Sequence, residues 1–121
     1  MKLAIVGGRT FDDYPKLCGI IGTHFYYLIN CVAANDDEII SGGANGADGL
    51  AKKYAVCCGL RYIEFLAEWD KYGKSAGFLR NQTIVDNCDM VLAFWDGKSR
   101  GTADTIEKAK RAKKPTFIVF Y

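Results

Sequence analysis

Five short apolar runs recur along this chain at regular intervals, and that alternation constrains the fold more than any other feature. The runs are Leu3–Val6, Glu38–Ile40, Arg61–Phe65, Met90–Trp95 and Thr116–Tyr121. Each has the length of a strand and is rich in Ile, Val, Phe or Tyr, which suit a pleated, buried surface. Helical patterns fill the intervals. The clearest covers Gly46–Cys58, where Ala47, Leu50, Ala51, Tyr54, Ala55 and Cys58 fall on one helical face. Gly59 follows as a stop signal. Tyr14–Ala34 is long, apolar and aromatic. Further helices are expected over about Gly77–Asn87 and Thr102–Lys113, the last ended by Pro115.

Strictly alternating strands and helices predict a parallel sheet with helices on both faces. Right-handed crossovers leave few ways to order the strands. The expected architecture is therefore α/β: a single Rossmann-like three-layer domain over residues 1–121, its parallel five-stranded sheet in the order 3-2-1-4-5. A chain of 121 residues has room for one ordinary domain, and its 50% hydrophobic content supplies a core.

In such sheets ligands bind beyond the carboxyl ends of the strands, where the strand order reverses. That place lies between strands 1 and 4, so the loops after strands 1, 2 and 4 carry the functional reading. They are Gly7-Gly8-Arg9-Thr10, then Ser41-Gly42-Gly43-Ala44-Asn45-Gly46-Ala47-Asp48, then Asp96-Gly97-Lys98-Ser99-Arg100-Gly101-Thr102. Small residues let a backbone approach a ligand closely, and the last two loops run into helices whose first N–H groups suit an anion. The loops match neither the Walker pattern nor GxGxxG, although GGANGADG comes near the latter. No acidic residue after strand 2 is placed convincingly for a ribose, so ordinary NAD binding gains little support.

Ahead of strand 4, Phe78-Leu79-Arg80-Asn81 opens a helix after the polar loop Glu68–Ser75. Arg80 suits a phosphate gripped bidentately, or else an ordinary surface pairing with a carboxylate. Trp69, Tyr72 and Trp95 are candidates to stack on a base, with packing in the core or at its rim as the alternative.

Sixteen basic and 14 acidic residues leave a net charge of +2. That is too weak to argue for an anionic polymer or membrane, so nucleic acid is not expected as a partner. The late cluster Lys108, Lys110, Arg111, Lys113 and Lys114 reads as a solvated helix face whose cations complement the helix dipole. The five cysteines (Cys18, Cys31, Cys57, Cys58 and Cys88) form no CxxC pair, and His24 is the one histidine. Most of the cysteines read as small core residues with reduced thiols, which implies a cytoplasmic setting; neither a metal nor a required cofactor is expected. MKLAIVGG is too short for a signal peptide, and no apolar run approaches the roughly 20 residues of a membrane span. Phe25-Tyr26-Tyr27-Leu28-Ile29 is apolar around most of a helical turn, which points to a homo-oligomer formed through the first helix.

Three motifs carry a family resemblance: VGGRTFDDY, ISGGANGADGLAKKYA and GFLRNQTIVDNCDMVLAFWDGKSRGTADTIEKA. With them the chain resembles the SLOG superfamily, the Rossmann-like group that includes the DprA and LOG proteins. It looks nearest to the small YspA-type, YpsA-related branch, often found in bacterial and phage genomes. The resemblance covers nearly the whole chain and implies that a nucleotide or nucleotide-derived ligand binds in the crevice. It would place Gly7, Gly8, Arg9, Gly42, Gly43, Ala44, Asn45, Gly46, Asp48, Arg80 and Asn81 beside that ligand, with Gly97, Ser99, Gly101 and Thr102 on a phosphate.

One departure matters. LOG enzymes cleave a nucleoside monophosphate at its N-glycosidic bond, with a motif GGxGTxxE whose Glu takes part. Deoxyribosyltransferases carry a nucleophilic Glu at the same place. Here GKSRGTADT puts Thr105 there. A hydroxyl cannot replace a carboxylate that stabilises oxocarbenium-like charge. Asp104 and Glu107 are near in sequence but point about 100° and 200° away around a helix. The expectation is a sensing or sequestering module. The alternative is an N-glycosidic hydrolase or transferase relying on Arg80 and on Asp104, Glu107 or Asp48.

Overall fold

The computed structural model describes residues 1–24 and 37–121. The elements, in chain order, are β1 (Lys2–Gly7), α1 (Tyr14–His24), β2 (Glu38–Ser41), α2 (Ala47–Cys58), β3 (Arg61–Glu64), α3 (Trp69–Tyr72), α4 (Ala76–Asp86), β4 (Met90–Trp95), α5 (Arg100–Arg111) and β5 (Thr116–Phe120). The strands form one sheet in the order β3-β2-β1-β4-β5, and every neighbouring pair is parallel. The predicted strand order is the observed one.

The pleat explains the layers. Successive residues of a strand face opposite sides, so a continuously apolar strand feeds two cores at once. Leu3 and Ile5 of β1, Ile39 of β2 and Leu92 and Phe94 of β4 pack with Leu17 and Ile21 of α1 and Ala51, Tyr54 and Ala55 of α2. Their neighbours Ala4, Val6, Ile40, Val91 and Ala93 pack on the other side with Ile84 and Val85 of α4 and Ile106 and Ala109 of α5. Each fully buried Leu or Ile contributes roughly 1.5–3 kcal/mol, so these two layers carry the fold. The outer strands β3 and β5 are only partly covered.

Helix ends follow their sequence signals. Gly59 closes α2 in the left-handed conformation at φ 68°, its N–H returning to the last turn. Lys108, Lys110 and Arg111 fill the last turn of α5, where cations oppose the dipole.

Two readings differ. The segment Glu68–Ser75 is not a plain loop, because it contains α3 and a 3-10 turn at Gly73–Ser75. Local bonds build these turns: the Glu68 carbonyl accepts from the N–H groups of Lys71 and Tyr72, and the Ser75 hydroxyl donates to the Tyr72 carbonyl at 2.9 Å. Such short turns leave no apolar period to read. The cysteines are not uniformly core residues either. Cys88 is buried and Cys18 half-buried, but Cys57 and Cys58 are exposed. The buried part of the α2 stripe ends at Ala55, so its last turn stands clear of the core. Cys31, the Phe25–Ile29 run and the expected first helix beyond His24 lie outside the described residues. Among the described residues no helix is long and apolar enough to cross a membrane.

Candidate functional site

A cleft of about 380 Å³ opens at the carboxyl ends of the strands, walled by the β1–α1 loop, the start of α2, α4 and the start of α5. It lies where the strand order reverses, with β2 and β3 on one side of β1 and β4 and β5 on the other.

The β1 wall is packed by glycine. The Gly8 N–H donates to the Phe94 carbonyl at 3.0 Å, and the Gly8 carbonyl accepts from Phe11 and Ala47. A Cβ on Gly7 would lie 2.6 Å from the Phe94 carbonyl oxygen, and one on Gly46 would run into the Gly8 carbonyl and lie 2.6 Å from the Arg9 backbone. Gly46 also has φ 79°, which L side chains rarely adopt. Here glycine admits protein backbone, not ligand.

The α5 wall is open. Ser99 precedes the helix in extended conformation, and no side chain caps the first turn. Its hydroxyl instead lies 3.3 Å from the Thr102 hydroxyl. A Cβ on Gly101 would meet nothing within 4 Å. Uncapped N–H groups and the positive end of a helix dipole are chemically suited to an anion. Asp96 supports the turn below: its Oδ1 accepts the N–H groups of Lys98 and Ser99, both at 2.8 Å. Those bonds hold its carboxyl below the usual carboxylate range.

Arg80 and Asn81 on α4 brace the two walls. Arg80 Nη1 donates to the Gly42 carbonyl at 2.7 Å, and its Nε to Asn81 Oδ1 at 3.1 Å. Asn81 Nδ2 donates to the Gly101 carbonyl and to Asp104 Oδ2, each at 3.1 Å. Asn81 is thus a strut between helices, while Arg80 lines the cleft with part of its donor fork committed.

Asp48, in the first turn of α2, is the other unusual group. It is 6% exposed and lines the cleft. Its Oδ2 accepts the Ala44 N–H at 3.2 Å, but Oδ1 is buried with no hydrogen-bond partner among the described residues. Burial pushes its pKa up to about 6, against the opposing pull of the Ala44 N–H and the Arg80 charge. A buried, under-satisfied carboxylate costs stability, and such groups concentrate at functional sites.

Of the residues singled out in the sequence, Gly7, Gly8, Arg9, Ala44, Asp48, Arg80, Asn81, Ser99, Gly101 and Thr102 come together at the cleft. Gly42, Gly43, Asn45 and Trp69 line an adjoining hollow, and Tyr72 a third one further along α4. Gly46 lies beneath the Gly8–Arg9 backbone, and Gly97 forms the turn after β4 at φ 82°. Trp95 does not line the cleft; its Nε1 donates to the Ser99 carbonyl at 3.1 Å and its ring tilts on Phe120. Asp104 is held by Lys108 and Asn81, and Glu107 pairs with Arg111 on the exposed face, so neither lines the cleft. Thr105 does, with its hydroxyl donating to the Gly101 carbonyl at 3.2 Å.

Thr10 and Asp96 also line the cleft, and Tyr121 supports Thr10 from outside it; none of the three was singled out as an individual residue in the sequence. Asp96 had a local signal, an Asp opening a Gly-containing turn before a helix. Tyr121 had none. Its hydroxyl lies 2.9 Å from the Thr10 hydroxyl, and its ring meets Phe11 edge-on, which in turn stacks on Phe94 at 4.2 Å.

No family model matches this sequence. The gene 61 protein of Mycobacterium phage D29 is 38% identical over 85 residues, which span 64% of this chain and 66% of that protein, just under two thirds of its length. DNA processing protein A (DprA) of Helicobacter pylori, whose structure concerns a single-stranded DNA binding mode, superposes with a TM-score of 0.70 at 23% identity. The match covers 98% of this chain and 64% of that one. DprA of Streptococcus pneumoniae gives 0.75 at 21% identity, covering 97% of this chain and 49% of that one. The chain therefore has the fold of the DprA proteins, which is the fold that the SLOG resemblance implied.

The likeness corrects one expectation. The small net charge argued against a nucleic-acid partner, yet a protein that binds single-stranded DNA is built on this same framework. Net charge averages the whole surface, whereas binding responds to the local field. Here the cleft brings Arg9, Arg80 and an uncapped helix N-terminus together with the carboxylates of Asp48 and Asp96.

Proposed function

We propose that the cleft binds a nucleotide or nucleotide-derived ligand, with its phosphate on the first turn of α5 and its sugar toward Asp48. The observation that carries this reading is the pairing of an uncapped helix N-terminus with a buried carboxylate oxygen that lacks a partner, both in one cleft. The helix end attracts an anion. The carboxylate repels one and calls for a hydroxyl or N–H donor. A sugar phosphate offers both kinds of group.

Thr105 supports holding over cutting. At the place where a glycosidase of this type needs a carboxylate, the cleft has a hydroxyl already engaged by the Gly101 carbonyl. The three sequence motifs also favour the small YspA-type, YpsA-related branch, the Thr at position 105 a sensing or sequestering role, and the reduced cysteines a cytoplasmic setting. The likeness to H. pylori DprA favours a second reading, in which the nucleotide unit belongs to single-stranded DNA. Titration calorimetry with AMP, ADP-ribose, cyclic nucleotides and a short oligo-dT separates the two. Saturable 1:1 binding of a mononucleotide supports the first, and binding of the oligonucleotide alone supports the second. Folded protein that binds neither refutes both. Release of free base from AMP, followed by chromatography, would restore the hydrolase alternative.

A further inference from the structure

The cleft does not end at Arg80. A hollow of about 430 Å³ adjoins it and shares Arg9, Ala44 and Arg80 as common walls. Its chemistry is different. Gly42 and Gly43 contribute backbone without side chains, Leu66 and Ala67 contribute apolar surface, and Trp69 stands at its edge. Trp69 is 53% exposed, a large aromatic surface to leave in water. The ring is nevertheless seated: a Cβ placed on Gly77 would touch its six-membered ring at 3.4 Å. One part of the indole thus rests on the start of α4 while about half remains uncovered.

We propose that this hollow is a second subsite that takes the planar base of the ligand against Trp69, while the phosphate occupies the first turn of α5. The proposal rests on the nucleotide reading above and narrows it, because a sugar phosphate alone would leave the hollow empty. Two features favour a base over an aliphatic group. A half-exposed indole offers a π-face, and stacking on such a face is tolerant of base identity. Arg9, Arg80 and Asn45 supply polar groups at the rim for the edge of a heterocycle. Arg80 stands between the two compartments, where the sugar would bridge them.

The test compares AMP with ribose 5-phosphate by calorimetry, which differ only in the base. The wild type is expected to bind AMP at least tenfold more tightly, with quenching of tryptophan fluorescence by AMP but not by ribose 5-phosphate. Trp69→Ala should bring the affinity ratio close to one, and Trp69→Phe should restore most of it. Equal affinity for the two compounds in the wild type, or a ratio unchanged by Trp69→Ala, overturns the base subsite and leaves the phosphate cleft standing. Failure of both compounds to bind folded wild-type protein removes the nucleotide reading and this one with it.

Discussion

The two glycine-rich walls of the cleft look alike in sequence and behave differently in space. In the β1 and β2 loops, Gly7, Gly8 and Gly46 are crowded by Phe94, Tyr121 and the Arg9 backbone. At the start of α5, Gly101 faces open space and the helix end carries no side-chain cap. The first wall uses glycine to let the protein close on itself. The second leaves room for something else. A glycine-rich loop is therefore not evidence of a ligand until one knows which atoms would meet the missing Cβ.

The sharpest way to break this comparison is to add that Cβ on each side. Gly46→Ala combines a strained φ with a collision against the Gly8 carbonyl, and is expected to cost upwards of about 3 kcal/mol. Urea denaturation should show a large fall in midpoint, or no folded protein at all. A loss below about 1 kcal/mol would mean that the loop has slack which the packing does not reveal.

Asp48 tests the same boundary through charge. Its carboxyl has a folded pKa of about 6 against 3.8 for the free group, so the native state holds the proton more tightly. Stability from this group is greatest below about pH 4 and is lost as pH rises through about 6, where the buried charge must form. A shift of about two units corresponds to roughly 3 kcal/mol at neutral pH. Asp48→Asn keeps an oxygen for the Ala44 N–H and is expected to raise stability at pH 7 by about 1–3 kcal/mol. It should also flatten the pH dependence between 4 and 6, while weakening any ligand that donates a hydroxyl to Oδ1. Denaturation midpoints across that range would refute the assignment if wild type and variant ran parallel.

Much of this architecture was legible in the chain. β4 spans Met90–Trp95 as its apolar run predicts, and the strand order follows from strict alternation with right-handed crossovers. What escaped the sequence were long-range relations. Asp48 was expected beside the ligand, but not as a buried carboxylate acted on by Arg80 and Glu64, groups distant from it in the chain. Arg80 looked free to grip a phosphate, but it also braces the Gly42 carbonyl 38 residues away. Periodicity reports which face of an element is apolar. It does not report which polar side chains two loops will bring together.

Gly101→Ala is the converse of the Gly46 test. Ala is the better helix former, by up to about 1 kcal/mol, and its methyl meets no protein atom, so folding stability should hold or rise slightly. The methyl would instead crowd an anion on the first turn of α5. AMP and inorganic phosphate should each bind about tenfold more weakly, a change of about 1.4 kcal/mol. If binding is unchanged, the phosphate does not sit on that turn.

Tyr121 gives the smallest effect and the finest resolution between the two walls. Its hydroxyl bonds to Thr10 at 2.9 Å at the lip of the β1 loop, and a Cβ on Gly8 would collide with that same hydroxyl. The bond is exposed, so Tyr121→Phe should cost only about 0.5–1 kcal/mol in a denaturation midpoint. The ring would still pack edge-on against Phe11. If the β1 wall is rigid because Gly7, Gly8 and Gly46 are jammed, losing this one hydrogen bond leaves ligand affinity within about twofold, a change of roughly 0.4 kcal/mol. A loss much larger than that would show that the loop is held by its polar pin more than by its glycines, and would place Tyr121 among the positioning residues of the cleft.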